Sequence, residues 1–184
     1  MRAYFLKTAR IGFSAWQAED LPFAVGLWCD PAVAGMICAR GCFTQREAAD
    51  RLRLEMENLC RYGVQYYPLF LLENDVFIGC CGLRPGSVPR EFELGFHLKP
   101  AYWGKGLGFE AAKAAVEYGF SKCHADVICA GHHPKNAGSA RLLARPSIRE
   151  TRSMRRPGCI TPPTACRRRL RSARRSRRRN PENR

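Results

Sequence analysis

No apolar run in this chain of 184 residues approaches the roughly 20 residues that a membrane-spanning helix requires, and the opening MRAYFLKTAR lacks the hydrophobic stretch of a secretion signal. Both absences lead us to expect a cytoplasmic protein with no membrane contact. There is no CxxC pair among the ten cysteines: Cys38 and Cys42 come nearest, and no second ligand pair sits at finger spacing. HExxH is also absent, and adjacent side chains such as those of His132 and His133 diverge, so no metal site is expected. With 46% hydrophobic residues the chain can bury one core without disulfide staples. The thiols are therefore expected to be reduced, with Cys80, Cys81 and Cys129 acting as small hydrophobes inside apolar strand-like runs.

The net charge of +15 is unevenly spread. Residues 1–144 hold 16 Lys and Arg against 14 Asp and Glu, whereas residues 145–184 hold 15 Arg against two acids, Glu150 and Glu182. The body is thus near neutral and the tail carries the charge. Trp28, Tyr66, Tyr67 and Trp103 have no basic residues interleaved with them, so they read as core or cleft-wall aromatics rather than a nucleic-acid stacking platform.

Along the body, FLKTARIGF (5–13) predicts a first strand. Asp20 and Pro22 then open a helix through Trp28 that Asp30-Pro31 ends. Thr44 and Glu47 form a capping box for a long helix to about Tyr62. VQYYPLFLLE and VFIGCCGL predict a hairpin turning at Asn74-Asp75. In EFELGFHLKP, alternation puts Phe92, Leu94, Phe96 and Leu98 on one face and Glu91, Glu93, Gly95 and His97 on the other. A glycine-rich loop then enters an alanine-rich helix, ADVICAG makes a short buried strand, and Asn136 can cap a last helix through SARLLA. The order βααβββαβα predicts a mixed α/β domain over 1–144 with one central, mostly antiparallel sheet flanked by helices.

Glycines at 104, 106 and 108 stand where strand passes to helix. Without side chains the backbone there can curl so that successive N–H groups face one concavity, to which the helix dipole adds positive character; a diphosphate suits such a nest. A dinucleotide-binding fold would place this motif after its first strand with an acid about 20 residues on, and the late position here disfavours that reading.

The stretches TARIGF, GCFTQREAADRL, GVQYYPLFLLE, FIGCCGLRP, FELGFHLKPAYWGKGLGFEAAKAAVEYGF and AGHHPKNAGSARLL, in this order over about residues 5–144, resemble the GNAT N-acetyltransferases, within them the branch similar to RimJ/RimL ribosomal-protein N-terminal acetyltransferases. The resemblance implies acetyl-CoA as co-substrate and an amine acceptor, a protein N-terminus or a small amine. It places the pyrophosphate on the amides of Trp103, Gly104, Lys105, Gly106, Leu107 and Gly108, and the pantetheine beside Phe96, His97 and Leu98. Asn136 matches the family's cofactor-contacting asparagine. Two departures are Phe109, where the branch has a smaller residue, and Lys105, whose charge can reach phosphate.

Acetyl transfer needs a neutral amine, a polarised carbonyl and a protonated leaving thiolate. Glu93 is the candidate base, acting through water, with His97 a weaker one. Ser139 is the candidate acid, and amides beside Gly95 and Phe96 can polarise the carbonyl. Solvated-carboxylate and helix-serine roles are the alternatives for Glu93 and Ser139.

The match stops near Ala144. Residues 145–184 contain no aromatic and recurrent proline, and predict a disordered arginine-rich tail in place of the strands that should close the sheet. Codons for Gly158–Cys166 read one base earlier can spell GLHHPSYRL, which resembles the family's C-terminal strand, so a frame shift explains the change. Other readings are a genuine arm contacting RNA or ribosomal protein through phosphates, and an inactive remnant. A native intact mass equal to that of the printed sequence is the outcome expected of a genuine arm; any other C-terminal peptide identifies the shift.

Overall fold

The computed structural model describes residues 2–145, Ile148 and the backbone of 166–171. The strands are β1 (Leu6–Lys7), β2 (Ile11–Phe13), β3 (Tyr66–Leu71), β4 (Phe77–Pro85), β5 (Glu91–Leu98), β6 (Val127–His132) and β7 (Cys166–Arg171). The helices are α1 (Leu21–Trp28), α2 (Pro31–Ala34), α3 (Gln45–Tyr62), α4 (Leu107–Ser121) and α5 (Ala137–Leu143). The sheet follows chain order from β1 to β7. Its pairings are antiparallel except β5 with β6, which are parallel because α4 carries the chain back between them. This is the mixed α/β architecture expected, one mostly antiparallel sheet flanked by helices.

Two differences at the start have local causes. The predicted first strand is divided into β1 and β2, since the Thr8 hydroxyl accepts a hydrogen bond from the Ile11 N–H at 3.0 Å and closes a turn there. Asp30-Pro31 both ends α1 and begins α2, because the Asp30 carboxylate accepts the Ala32 N–H at 2.9 Å and proline suits a first helical position. The capping box is as expected: Thr44 accepts the Glu47 N–H while Glu47 accepts the Thr44 N–H.

At the far edge, the backbone of β7 runs antiparallel to β6 from Cys166 opposite His132 to Arg171 opposite Val127. The expectation that the closing strands are missing concerns residues 145–184, most of which lie outside the described residues. An uncovered β6 presents a row of backbone donors and acceptors, and an extended segment of nearly any composition satisfies them. The disordered character of 145–184, the frame shift and the RNA-binding arm otherwise lie outside the described residues.

Period-two alternation gives each face of the sheet its own core. Tyr67, Leu69, Cys81, Leu83 and Leu94 join Ala111, Ala112 and Ala115 of α4 on one side, and the buried packing extends to Ile148. Tyr66, Phe70, Phe77 and Cys80 join Trp16, Leu27, Trp28 and Leu52 on the other. Small alanines let α4 lie close to the sheet. The opposite face instead encloses charge. Glu55 of α3, fully buried, accepts the Tyr66 N–H at 2.8 Å and the Arg84 Nε–H at 3.0 Å, tying α3 to β3 and β4.

Removing one side of a buried pair strands its partner. Glu55→Leu should destabilise the fold by about 3 kcal/mol or more by leaving the Arg84 charge and the Tyr66 amide without an acceptor. Glu55→Gln, which keeps an acceptor oxygen, should lose less. Thermal or urea unfolding of both variants checks the order; a wild-type melting curve for Glu55→Leu would remove this pair from the fold's supports.

Candidate active site

β5 and β6 are in register from Glu91 opposite Val127 to Leu94 opposite Ala130, and there the pairing stops. β5 remains paired with β4 as far as Leu98 opposite Gly79. Gly95–Leu98 therefore border a gap between two parting strands, on an edge that has no strand partner among the described residues. An extended ligand can hydrogen-bond to such an edge.

The chain leaves β5 through a turn at Pro100–Tyr102 and enters α4 at Leu107. Gly104 and Gly106 have φ of 74° and 77°, a left-handed backbone that favours glycine. Gly106 caps α4 without a side-chain hydrogen bond, and the first intrahelical bond of the turn runs from the Glu110 N–H to the Gly106 carbonyl. The amides of Leu107, Gly108 and Phe109, at the positive end of a 15-residue helix, thus remain for an outside acceptor. Trp103 donates its indole N–H to the Leu98 carbonyl at 2.7 Å, which fixes the turn to the end of β5 and leaves the ring half exposed. Lys105 lies over the Tyr102 ring at 5.5 Å. Phe109 is half-buried, with the Arg145 guanidinium 4.4 Å from its ring centre.

The cradle is braced by residues that the motif does not contain. Arg10, in the β1–β2 turn, donates to the Lys105 carbonyl at 3.1 Å and to the Glu110 carboxylate at 2.7 Å from Nε. Thr8 adds a hydroxyl bond to Glu110 at 2.6 Å, and the Arg10 amide another at 3.0 Å. Burial pushes the Glu110 carboxyl up, but these hydrogen bonds and the Arg10 charge outweigh it, leaving the group below its ordinary value of 4.5. A groove of about 690 Å³ opens beside this brace, walled by Thr8, Arg10, Gly106, Phe109 and Glu110 among others; none of its walls belongs to β5 or β6. It adjoins the cradle and is separate from the gap.

Of the predicted catalytic groups, Glu93 lies opposite Arg84 on β4 and Cys129 on β6, just before the strands part. It is half-buried, and its charge acts on the buried Tyr66 hydroxyl, which desolvation pushes well up. The Tyr66 ring crosses β5 at Gly95, where an added Cβ would come within 2.2 Å of it. His97 accepts the Trp28 indole N–H on Nδ1 at 3.3 Å, which puts its own proton on Nε2. Burial, and then the Arg51 and Arg84 charges, hold its pKa well below 6.5, so the ring is neutral at neutral pH. Leu98 is buried against α4, and Phe96 is partly buried on that same face. Cys80, near His97, is an inert thiol that burial pushes up to about 12.

Beyond β6, Asn136 accepts the Ser139 N–H on its side-chain oxygen at 2.9 Å, as a helix cap should. Its NH₂ group makes no hydrogen bond among the described residues. Ser139 is half-buried in the first turn of α5. His132 and His133 face local backbone: His132 Nδ1 lies 3.0 Å from the His133 carbonyl, and His133 Nδ1 accepts the Lys135 N–H at 3.2 Å. Arg10, Glu55 and Arg84 were missed in the sequence, where each looks like an ordinary surface charge, whereas Tyr66, read as a core or cleft-wall aromatic, lies where expected.

A gap between parting parallel strands, next to a glycine turn with free helix amides, makes a site for an extended ligand that carries an anionic group. Residues 10–146 match the family model described as Acetyltransferase (GNAT) domain, and the chain belongs to the GNAT acetyltransferases. It is accordingly an acetyltransferase. An uncharacterized N-acetyltransferase, p20 of Bacillus licheniformis, is 26% identical over 141 residues, 75% of this chain and 78% of the relative. An acetyltransferase structure from Agrobacterium tumefaciens superposes with a TM-score of 0.77 at 22% identity, covering 94% of this chain and 99% of the other. RimL, a ribosomal-protein alpha-N-acetyltransferase in complex with coenzyme A, superposes with a TM-score of 0.65 at 12% identity, covering 76% of this chain and 80% of the other.

The Glu110 brace sets a pH dependence. A folded-state pKa below the ordinary 4.5 means that its stabilisation is complete above the unfolded value and is lost as pH falls through the lowered folded value. Glu110→Gln should therefore flatten the acid side of the melting-temperature profile, scanned from about pH 6 to about pH 3. A wild-type acid limb in the variant would show that the brace contributes nothing to stability.

Proposed function

We propose that this chain moves an acetyl group from acetyl-CoA to a primary amine, with the pyrophosphate on the amides around Gly104–Gly108 and the pantetheine arm along the free edge of Gly95–Leu98. The observation that carries this reading is the coincidence of two features at the carboxyl end of β5: the strand loses its β6 partner after Leu94, and within a dozen residues the left-handed Gly106 opens α4 with uncommitted amides. Coenzyme A bound to RimL, a protein of the same fold, supports it. The pocket chemistry fits as well: a cradle of N–H groups suits a diphosphate, and an unpaired strand edge suits the amide-containing pantetheine.

Glu93 is the base in this proposal, taking the amine proton through water, and Ser139 returns a proton to the departing thiolate. Amides beside Gly95 and Phe96 polarise the thioester carbonyl. His97 does not serve as base through Nδ1, because the Trp28 N–H already occupies that lone pair. Asn136 orients the coenzyme with its NH₂ group. Within the family we place the chain near the RimJ/RimL branch, whose acceptors include protein N-termini, and in the cytoplasm; no described helix is long and apolar enough to cross a membrane.

Two measurements test this reading. Acetyl-CoA at about 100 times its Kd should stabilise the fold by roughly 2.7 kcal/mol, and Gly106→Val, strained at positive φ and bulky in the cradle, should abolish that gain. Glu93→Gln should lower kcat by about 100-fold or more while acetyl-CoA affinity stays at the wild-type level. Absence of any acetyl-CoA stabilisation removes the proposed function; an unchanged kcat removes Glu93 from the base role alone.

A further inference from the structure

The Tyr66 hydroxyl makes no hydrogen bond among the described residues, although the rest of the residue is fully engaged. Tyr66 is only 4% exposed. Glu55 accepts its N–H at 2.8 Å, and the Trp16 indole donates to its carbonyl at 2.6 Å. The ring is held as firmly: the Arg84 guanidinium lies 4.3 Å from its centre, and the His97 ring meets it edge-on at 5.8 Å. A buried tyrosine hydroxyl ordinarily has a partner, because leaving it without one costs free energy. Desolvation pushes this hydroxyl well up, so it stays protonated and can donate as well as accept a hydrogen bond.

Its position is set by one row of the sheet. Tyr66 stands opposite Gly82 on β4, and Gly82 opposite Gly95 on β5. The hydroxyl end of the ring rests on Gly95: a Cβ there would come 2.2 Å from the ring carbon that bears the oxygen and 2.5 Å from the oxygen itself. Glycine at 95 is what admits it. Gly95 is also the first residue of β5 beyond Leu94, the last with a β6 partner. The oxygen therefore marks the start of the gap, on the face that alternation gives to Glu93, Gly95 and His97, opposite α4. Glu93 is near enough for its charge to act on the hydroxyl. A hydroxyl and a carboxylate that share a face beside a gap can hold one water between them, with an amine as its third partner.

We infer that Tyr66 is a positioning residue for acetyl transfer: its hydroxyl, with Glu93, holds the water through which the amine loses its proton. The inference rests on the acetyl-transfer reading above and adds the group that orders its proton path. As the amine nitrogen bonds to the thioester carbon, its proton passes to this water and a proton of the water passes to Glu93. The carbon–sulfur pair leaves with the sulfur, which Ser139 protonates. Tyr66 keeps its own proton throughout, and its part is to fix the water's place. A misplacement of about 1 Å corresponds to roughly 100-fold in rate.

Tyr66→Phe, made in the full chain, removes the oxygen and keeps the ring. Because no bond within the fold is lost, its melting temperature should equal or exceed that of the wild type, and acetyl-CoA should stabilise it as fully. Release of free coenzyme A is then followed with alanyl and seryl tripeptides and spermidine as acceptor probes, the fastest serving for the comparison. Here kcat should fall by about 10-fold or more, with KM for acetyl-CoA unchanged. Tyr66→Phe combined with Glu93→Gln should be no slower than Glu93→Gln alone, since the hydroxyl acts only through the carboxylate. A wild-type kcat in Tyr66→Phe, a lowered melting temperature, or losses that multiply in the double variant would each overturn the inference, as would a wild type that binds acetyl-CoA and turns over no probe. Failure of the wild type to bind acetyl-CoA overturns the acetyl-transfer reading instead.

Discussion

The partial pairing of β5 is the constraint from which the site follows. One edge of this strand is bonded to β4 along its whole length, from Phe92 opposite Pro85 to Leu98 opposite Gly79, so its position is fixed. Its other edge is bonded to β6 only through Leu94. If β6 followed it further, the backbone groups of Gly95–Leu98 would be satisfied within the sheet and no gap would exist. The rigid side supplies precision while the free side supplies a place to bind. The turn after β5 then brings the amide end of α4 to the same end of the strand, with the Trp103 bond to the Leu98 carbonyl holding the two together. Backbone donors positioned in this way need no reorganisation when a ligand arrives, which is the condition for electrostatic catalysis in a shielded site.

Charge near the cradle is arranged so as not to oppose that function. Glu110 lies in the first turn of α4, where a carboxylate is favoured by the helix dipole but would compete with an anionic ligand for the same field. Arg10 and Thr8 consume its oxygens, and Arg10 also binds the Lys105 carbonyl, turning the backbone dipole of the loop outward to a cation. The pair neutralises a repulsive group and stiffens the loop in a single arrangement. It also ties the N-terminal hairpin to the cradle, so the first strands of the chain have a part in the site although they lie at the opposite edge of the sheet from β6.

What could be read in the sequence was whatever depends on near neighbours. The capping box of α3, the hairpin at Asn74-Asp75, the alternating faces of β5, the glycine turn and the Asn136 cap all rest on residues within a few positions of one another, and all appear in the structure. The brace between Arg10 and Glu110 joins residues 100 positions apart, and the Arg84–Glu55 pair joins residues 29 apart. Nothing in their flanking residues distinguishes them from solvated charges. Even the short-range failures have this character. The Thr8 turn that divides the first strand depends on a hydroxyl finding a particular amide, and Asp30-Pro31 signals the end of one helix and the start of another with the same two residues.

The two faces of β5 differ in how they hold polar atoms. On the α4 side the strand meets alanines and leucines, and close approach of the helix leaves little room for anything but the apolar body of the domain. On the other side Glu55 binds Arg84 and the Tyr66 amide, Trp16 binds the Tyr66 carbonyl, and Trp28 binds His97, whose ring meets that of Tyr66 edge-on. Satisfied networks of this kind fix side-chain positions closely, because each bond strengthened by the low dielectric constrains the next. Arg51 meets this face through the Trp28 and Phe43 rings. An arginine that only covered apolar surface with its stem would send its head group out to water. Here the Nε is withdrawn from water while the residue as a whole is half-exposed, as a stem laid across the Trp28 and Phe43 rings requires.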